Sequence, residues 1–294
     1  MFLFAVLALL PLLSPVAPTP EGGCAPPGEY TEATWPLVQH TPDGRPVART
    51  YRAHVPPNAR GGLVLDLHGA FSGKEEQDDR SGMRAKADAG GFVAVQPDSW
   101  PHWTTSAADE AARGVSDSEF LRRLVGITVE QLCVAPAKVY AVGFSSGGLM
   151  AARFACSGTT KLAGIGMVAA APLPDTAPCH RPLPLRLVFS HNDHVLARCC
   201  SGDLGAMTAG VHALARQWAD DNGCVAPPRE ESTGETGWGV RVKTVHHLCP
   251  GRGDVVVDQI DTGDPVRDGH FWPGPPSRAP FDATSAIVSF WDGV

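Results

Sequence analysis

Val139-Tyr140-Ala141-Val142-Gly143-Phe144-Ser145-Ser146-Gly147-Gly148-Leu149-Met150 decides how the rest of the chain reads. An apolar run ends in Gly-x-Ser-x-Gly, and an apolar, Ala-rich run follows. That succession predicts a strand, a sharp turn and a helix, the setting in which a nucleophile elbow forms. On such a turn Ser145 is expected to take a strained backbone with positive φ, which lifts its hydroxyl off the strand end. Gly143 and Gly147 are expected where strand and helix pass too closely for a side chain. The Ser146 backbone N–H then lies at a helix N-terminus, aimed at any negative charge that develops on a bound carbonyl oxygen.

Outward from this stretch, strands and helical segments alternate. Gly62–Leu67 reads as a buried strand that ends in the loop His68-Gly69-Ala70-Phe71-Ser72-Gly73. Arg80–Ala89 is predicted as a short helix, and Phe92–Val95 as a strand with Pro97-Asp98 at its exit. Residues 101–114 form a polar loop beside Trp100 and carrying Trp103. Phe120, Leu121, Leu124, Val125 and Val129 recur with a helical period over Asp117–Leu132. Further strands are predicted at Ile165–Ala171, Leu185–Ser190 and Val255–Ile260, and further helices at Met207–Asn222 and Asp282–Trp291. Trp35–Val55 reads as an antiparallel edge hairpin turning at Pro42-Asp43-Gly44. The alternation predicts an α/β fold, a mostly parallel sheet with helices on both faces. In such sheets the carboxyl ends of the strands carry the site. Ser145, His68-Gly69, Asp98 and Asp193 all follow predicted strands, so they converge on one edge.

Apolar residues make up 43% of the 294 residues and charged residues 19%, enough for a sizeable globular core. The formal charge of −7 comes without any Lys/Arg cluster, which argues against nucleic acid or an anionic membrane surface as partner. Met1–Val16 is almost wholly apolar, yet too short and too Pro-interrupted to span a bilayer. It reads as a signal peptide, giving a signal and leader over residues 1–20 and one catalytic domain over 21–294. The expected location is secreted or periplasmic, with no stable membrane association after cleavage. Eight cysteines fit an oxidising compartment. No Cys-x-x-Cys pair appears, and Cys199 and Cys200 are adjacent, so no zinc site and no cofactor are expected.

A serine hydroxyl needs a base within hydrogen-bond reach, and a carboxylate to hold that base. Seven histidines lie downstream of Ser145: His180, His191, His194, His212, His246, His247 and His270. His270 sits in Gly269-His270-Phe271-Trp272-Pro273-Gly274, between the last strand and the closing helix, where such a base belongs. Asp193 directly follows strand Leu185–Ser190 and is taken as the acid ahead of Asp175, Asp203 and Asp264. The order Ser, acid, His is that of α/β-hydrolases. His191 and His194 flank Asp193 but find no third ligand at fixed spacing. Ser146 and Ala70 are expected to supply the two oxyanion N–H groups.

These residues resemble those of a secreted esterase of the polyhydroxybutyrate depolymerase and feruloyl esterase family. The matching pieces are Leu67-His68-Gly69, Pro97-Asp98-Ser99, Val139 through Gly148, Phe154-Ala155-Cys156, the Asp193 loop, Asn222-Gly223-Cys224 and Gly269 through Gly274. The resemblance implies Ser145 as nucleophile, Asp193 as acid and His270 as base. It also implies a Cys224–Cys249 bridge. Two features depart from the pattern: Ser190-His191-Asn192-Asp193 replaces a His-Gly-Thr-x-Asp run, and Cys199-Cys200 follows. A second bridge, Cys156–Cys179, is expected at the amino-terminal edge of the sheet.

The implied activity is hydrolysis of carboxylic esters, feruloyl-esterase-like on plant cell-wall polysaccharide. Depolymerisation of polyhydroxyalkanoate is the alternative within the same chemistry. A non-catalytic adhesion protein using Arg252-Gly253-Asp254 is the alternative of another class. For substrate binding, Trp100, Trp103 and Trp272 are expected to line a flat slot for an aromatic acyl group. His68 stands beside them in a structural rather than a catalytic role.

Overall fold

A computed structural model describes residues 23–170, 182–200, 202–233, 240–251, 253–261, 269–274 and 281–291. Its elements in order are strands β1 (Gly28–Thr31), β2 (Leu37–His40), β3 (Pro46–Arg49), β4 (Tyr51–Val55) and β5 (Gly62–Leu67). Helices α1 (Lys74–Ser81) and α2 (Met83–Gly90) lead to β6 (Phe92–Pro97), then α3 (Ala107–Arg113) and α4 (Asp117–Leu132). Next come β7 (Val139–Phe144), α5 (Ser146–Cys156), β8 (Gly164–Val168), β9 (Leu185–Ser190), α6 (His194–Cys200) and α7 (Leu204–Asp221). The chain continues through β10 (Arg229–Ser232), β11 (Arg241–His247), β12 (Val255–Asp261) and α8 (Ala283–Phe290).

One ten-stranded sheet runs β1-β4-β6-β5-β7-β8-β9-β12-β11-β10. The centre from β6 to β12 is parallel, and the pairs at both edges are antiparallel. Strands β5, β6, β7 and β8 are buried along their whole length, which is why each reads as an unbroken apolar run. Alternate residues feed two cores. Leu63 and Leu65 join Phe120, Leu121, Phe154 and Trp218 on one face. Val64 joins Met83, Phe92, Tyr140, Ile287 and Trp291 on the other.

Several local expectations are corrected. Arg80–Ala89 is not one helix: Gly82 takes a left-handed conformation (φ 62°), ends α1 and starts α2. Residues 101–114 hold the helix α3, started by a capping box between Ser106 and Asp109. The hairpin β2–β3 forms its own two-stranded sheet, while β4 runs on into the main sheet. The segment Trp35–Val55 therefore divides between two sheets rather than forming one edge.

Cys224 and Cys249 are bonded, with Cα atoms 4.2 Å apart. A second bridge, Cys24–Cys133, was not anticipated and spans 109 residues. It fastens the segment before β1 to Cys133, the left-handed cap of α4, beside a hydrogen bond from Ala25 N–H to Gln131 O at 2.8 Å. Cys156 is in a disulfide as well, and so, separately, is Cys199. Cys179, the side chain of Cys200 and the expected leader lie outside the described residues. Among the described residues, no helix is long and apolar enough to cross a membrane.

Asp66 on β5 is completely buried. Its carboxylate accepts Gln77 Nε2–H at 2.7 Å and Ser81 Oγ–H at 2.6 Å. Burial pushes its pKa up to about 7, against the opposing pull of those two hydrogen bonds.

Two measurements test this scaffold. In the chain-entropy model a loop of about 100 residues is worth about 4.7 kcal/mol. The double variant Cys24→Ser, Cys133→Ser should lose stability of that order in denaturant unfolding, and an unchanged midpoint would contradict the bridge. An unfolded Asp ionises near pH ~3.9, whereas native Asp66 holds its proton up to about 7. Between those values the folded state binds the extra proton, so Asp66 costs stability as pH rises. The midpoint of Asp66→Asn relative to wild type should therefore improve from about pH 4 to about pH 8. Parallel curves would count against a buried, neutral Asp66.

Candidate active site

Ser145 lies between β7 and α5 with φ 53° and ψ −120°, a region that non-glycine residues enter only under strain. Close approach fixes it there. A Cβ on Gly143 would stand 2.2 Å from the Gly147 carbonyl carbon, and a Cβ on Gly147 would stand 2.3 Å from the Leu67 carbonyl oxygen. The Ser145 N–H donates to Val168 O at 2.8 Å, and its carbonyl accepts Gly148 N–H at 2.9 Å. Ser146 is the first residue of α5, where a backbone N–H has no acceptor within the helix.

Asp193 is completely buried just past β9. Its two oxygens divide their work. Oδ1 accepts Leu196 N–H at 2.8 Å and so caps α6. Oδ2 accepts His270 Nδ1–H at 2.8 Å. The His270 ring is tilted 45° against Phe144, with centroids 4.9 Å apart, and Phe144 directly precedes Ser145. The Arg80 guanidinium lies over the same Phe144 ring at 4.6 Å.

Two anchors hold the His270 loop. Gly269 takes φ 73°, and a Cβ there would stand 2.4 Å from Asn192 O. Its backbone therefore presses directly on the Asn192-Asp193 peptide. Trp272 is buried, and its Nε1–H donates to Thr284 Oγ1 at 2.9 Å. Thr284 in turn donates to Ser81 O at 2.6 Å. The sequence marks Gly269 as part of the motif around His270 but not its contact with Asn192, and nothing in it singles out Thr284.

Three of the other downstream histidines face different partners. His212 meets Gln259, His191 approaches Asp261 at 3.7 Å and His246 pairs with Asp254 at 3.1 Å. Burial lowers the pKa of His247. Among the rival acids, Asp203 caps α7 by accepting Ala206 N–H at 2.8 Å. Asp175, Asp264 and His180 lie outside the described residues, as does Arg252. Asp254 of the Arg-Gly-Asp run accepts Cys249 N–H and meets His246, so both its oxygens are committed within the chain. No group of three or more His, Cys, Asp or Glu able to hold a metal occurs among the described residues.

The expected aromatic slot does not form from its three indoles. Trp103 is completely buried and donates Nε1–H to His68 O at 2.8 Å. Trp272 is core, so only Trp100 meets solvent. His68 has no surface to offer a substrate either. Its Nδ1 lies 2.7 Å from Gly69 O, and its Nε2 lies 3.0 Å from Ser99 N and 3.1 Å from Asp98 Oδ1. It ties the loop after β5 to the loop after β6. Burial raises the Asp98 pKa, but His68 and Lys74 outweigh that and hold it below the ordinary range. Ala70 is exposed on the loop that brings Gly69 alongside Ser145: a Cβ on Gly69 would stand 3.5 Å from the Ser145 Cβ. Sequence reading missed Phe71, whose φ of 58° no pattern of side chains announces.

The Asp193–His270 hydrogen bond should give a low-field proton resonance from His270 Nδ1–H. It should survive Ser145→Ala and vanish in Gly269→Ala, because the added methyl drives the two loops apart. A signal that persists in Gly269→Ala would show that this clamp does not set the geometry.

No family model matches the chain. Over 201 residues it is 31% identical to NocK of Nocardia uniformis subsp. tsuyamanensis, a provisionally named esterase, covering 62% of this chain and 58% of NocK. Over 153 residues it is 24% identical to the bifunctional acetylxylan esterase/xylanase XynS20E of Neocallimastix patriciarum, covering 52% of this chain and 22% of that one. The chain thus spans little more than half of the one relative and less than a quarter of the other. Among solved structures it resembles an acetyl xylan esterase from Aspergillus awamori with a TM-score of 0.54 at 15% identity, covering 73% of this chain and 89% of that one. It also resembles the structure described as native sOPH, with a TM-score of 0.53 at 16% identity, covering 92% and 90%. With its parallel centre and its helices on both faces, the chain has the α/β-hydrolase fold.

Proposed function

We propose that the protein is a secreted serine esterase that cleaves carboxylic esters of plant cell-wall polysaccharide, with Ser145, Asp193 and His270 as its triad. The observation that carries this reading is the 2.8 Å hydrogen bond between His270 Nδ1 and the buried Asp193 carboxylate, on the sheet edge that also bears the strained Ser145. A buried carboxylate that accepts the Nδ1–H hydrogen bond leaves Nε2 as the basic face of the ring. In the proposed reaction Nε2 takes the Ser145 proton as Oγ attacks the ester carbonyl. The N–H groups of Ser146 and Ala70 hold the oxyanion. The imidazolium then protonates the departing alcohol, and water repeats the cycle on the acyl-enzyme.

Similarity to NocK and to two acetylxylan esterases supports ester hydrolysis and a polysaccharide substrate. Burial of Trp103 and Trp272 removes two of the three indoles that argued for a hydroxycinnamoyl group. A small acyl group such as acetyl fits better. The apolar leader and the disulfides support secretion.

A fluorophosphonate probe should label Ser145 alone, and Ser145→Ala should abolish both labelling and turnover while leaving the melting temperature in place. His270→Ala should lose as much, since members of a triad act as a unit, and Asp193→Asn should lose less. Full activity in Ser145→Ala would refute the assignment. A substrate panel of p-nitrophenyl acetate, acetylated xylan, methyl ferulate and polyhydroxybutyrate decides the ester.

A further inference from the structure

Two aromatic side chains stand largely in water at the candidate site, Phe71 at 73% exposure and Trp100 at 65%. They come from neighbouring loops, after the adjacent parallel strands β5 and β6. Their rings lie edge to face, 6.4 Å apart at 79°. Phe71 N–H donates to Pro101 O at 2.7 Å and joins the two loops.

Their exposure is built in. On one side of Trp100, Ser99 Oγ–H donates to the buried Asp117 carboxylate at 2.9 Å. On the other, Trp103 is sunk in the core and Thr104 N–H donates to the same carboxylate at 2.7 Å. Arg113 Nη2 donates to the Trp100 carbonyl at 2.9 Å. A loop fixed at these points has no freedom to fold Trp100 inward. Phe71 keeps a left-handed backbone, φ 58°, that costs a bulky residue about 1 kcal/mol or more and that glycine would adopt freely. It directly follows Ala70, and Gly69 runs beside the Ser145 Cβ. The pair therefore stands on the two loops at the carboxyl ends of β5 and β6, the first of which passes Ser145 at Gly69.

The shape selects the ligand. Two rings at nearly a right angle, both mostly open to solvent, make a shelf rather than a slot. A shelf does not enclose an acyl chain, and an aliphatic ribbon laid on it would keep much of its apolar surface in water. A pyranose ring is two-faced: its axial C–H groups pack on an aromatic face while its hydroxyls stay hydrated. We propose that Phe71 and Trp100 form a subsite for a pyranose ring in the alcohol part of a polysaccharide ester. This rests on the esterase reading given above.

The test has one arm that needs no chemistry. Binding of unesterified xylotetraose to the Ser145→Ala protein is measured by calorimetry, alone and combined with Phe71→Gly or Trp100→Ala. Each added change should weaken binding about tenfold, the scale of one lost aromatic contact. Phe71→Gly should fold at least as well as its parent, because it relieves the strained backbone. The second arm compares kcat/KM for acetylated xylotetraose and p-nitrophenyl acetate. The ratio of the two should fall about tenfold in each variant with Ser145 intact, through KM. Absence of saturable xylotetraose binding by the parent, or a ratio that stays within about twofold of wild type, overturns the subsite. A preference for a hydroxybutyrate oligomer over the glycan ester overturns it as well. Failure of Ser145 to take a fluorophosphonate would instead sink the esterase reading, so the two failures are separable.

Discussion

The carboxyl edge of the sheet depends on how closely β7, α5 and β5 approach one another. No Cβ fits on Gly143 against the Gly147 peptide, and none fits on Gly147 against the carbonyls of Leu67 and His68. Missing atoms thus set two distances at once, elbow to helix and elbow to the loop after β5. Ser145 has nowhere to relax, so its backbone strain, of order 1–3 kcal/mol, is carried by the packing around it. The same approach brings Gly69 alongside the serine.

The other half of the site uses the same device. Gly269 lies against the Asn192-Asp193 peptide, and the Asp193–His270 hydrogen bond follows from that contact. Trp272 and Thr284 then pin the far side of the loop to α1 through Ser81. Ser145, Asp193 and His270 bring only one hydroxyl, one carboxylate and one imidazole to this edge. Backbones held at van der Waals distance do the positioning.

Much of this was legible in the sequence, for identifiable reasons. Parallel strands buried on both faces leave apolar runs that glycines and prolines punctuate, so β5, β7, β9 and β12 could be read closely. Gly-x-Ser-x-Gly between such a run and an Ala-rich one was specific enough to place Ser145. The edge strands were not legible: β10 is exposed at every residue and carries no apolar signal. A kink at Gly82 hides inside a helical pattern, because glycine there reads equally as a poor helix former or a stop. Cys24–Cys133 joins residues too far apart for spacing to say anything. The tryptophans misled most. Their place beside the strand exits was read correctly, but which ones turn inward is decided by Asp117, Thr284 and the His68 carbonyl, partners far away in sequence.

The sheet order also governs when the site can exist during folding. The serine elbow needs β7, α5 and β5, whose parallel pairing joins segments roughly 75 residues apart. The Asp193–His270 contact needs β12 beside β9, a pairing that brings Val255 to Leu185 across the whole of α6, α7, β10 and β11. The two pairings close loops of nearly equal length, Leu63 to Val139 and Leu185 to Val255, so closure entropy weighs alike on both and neither waits for the other. A chain arrested before β12 docks would already present Ser145 on a formed elbow, without His270 beside Asp193. Assembly of the whole site thus requires both long-range dockings, not the collapse of the core alone.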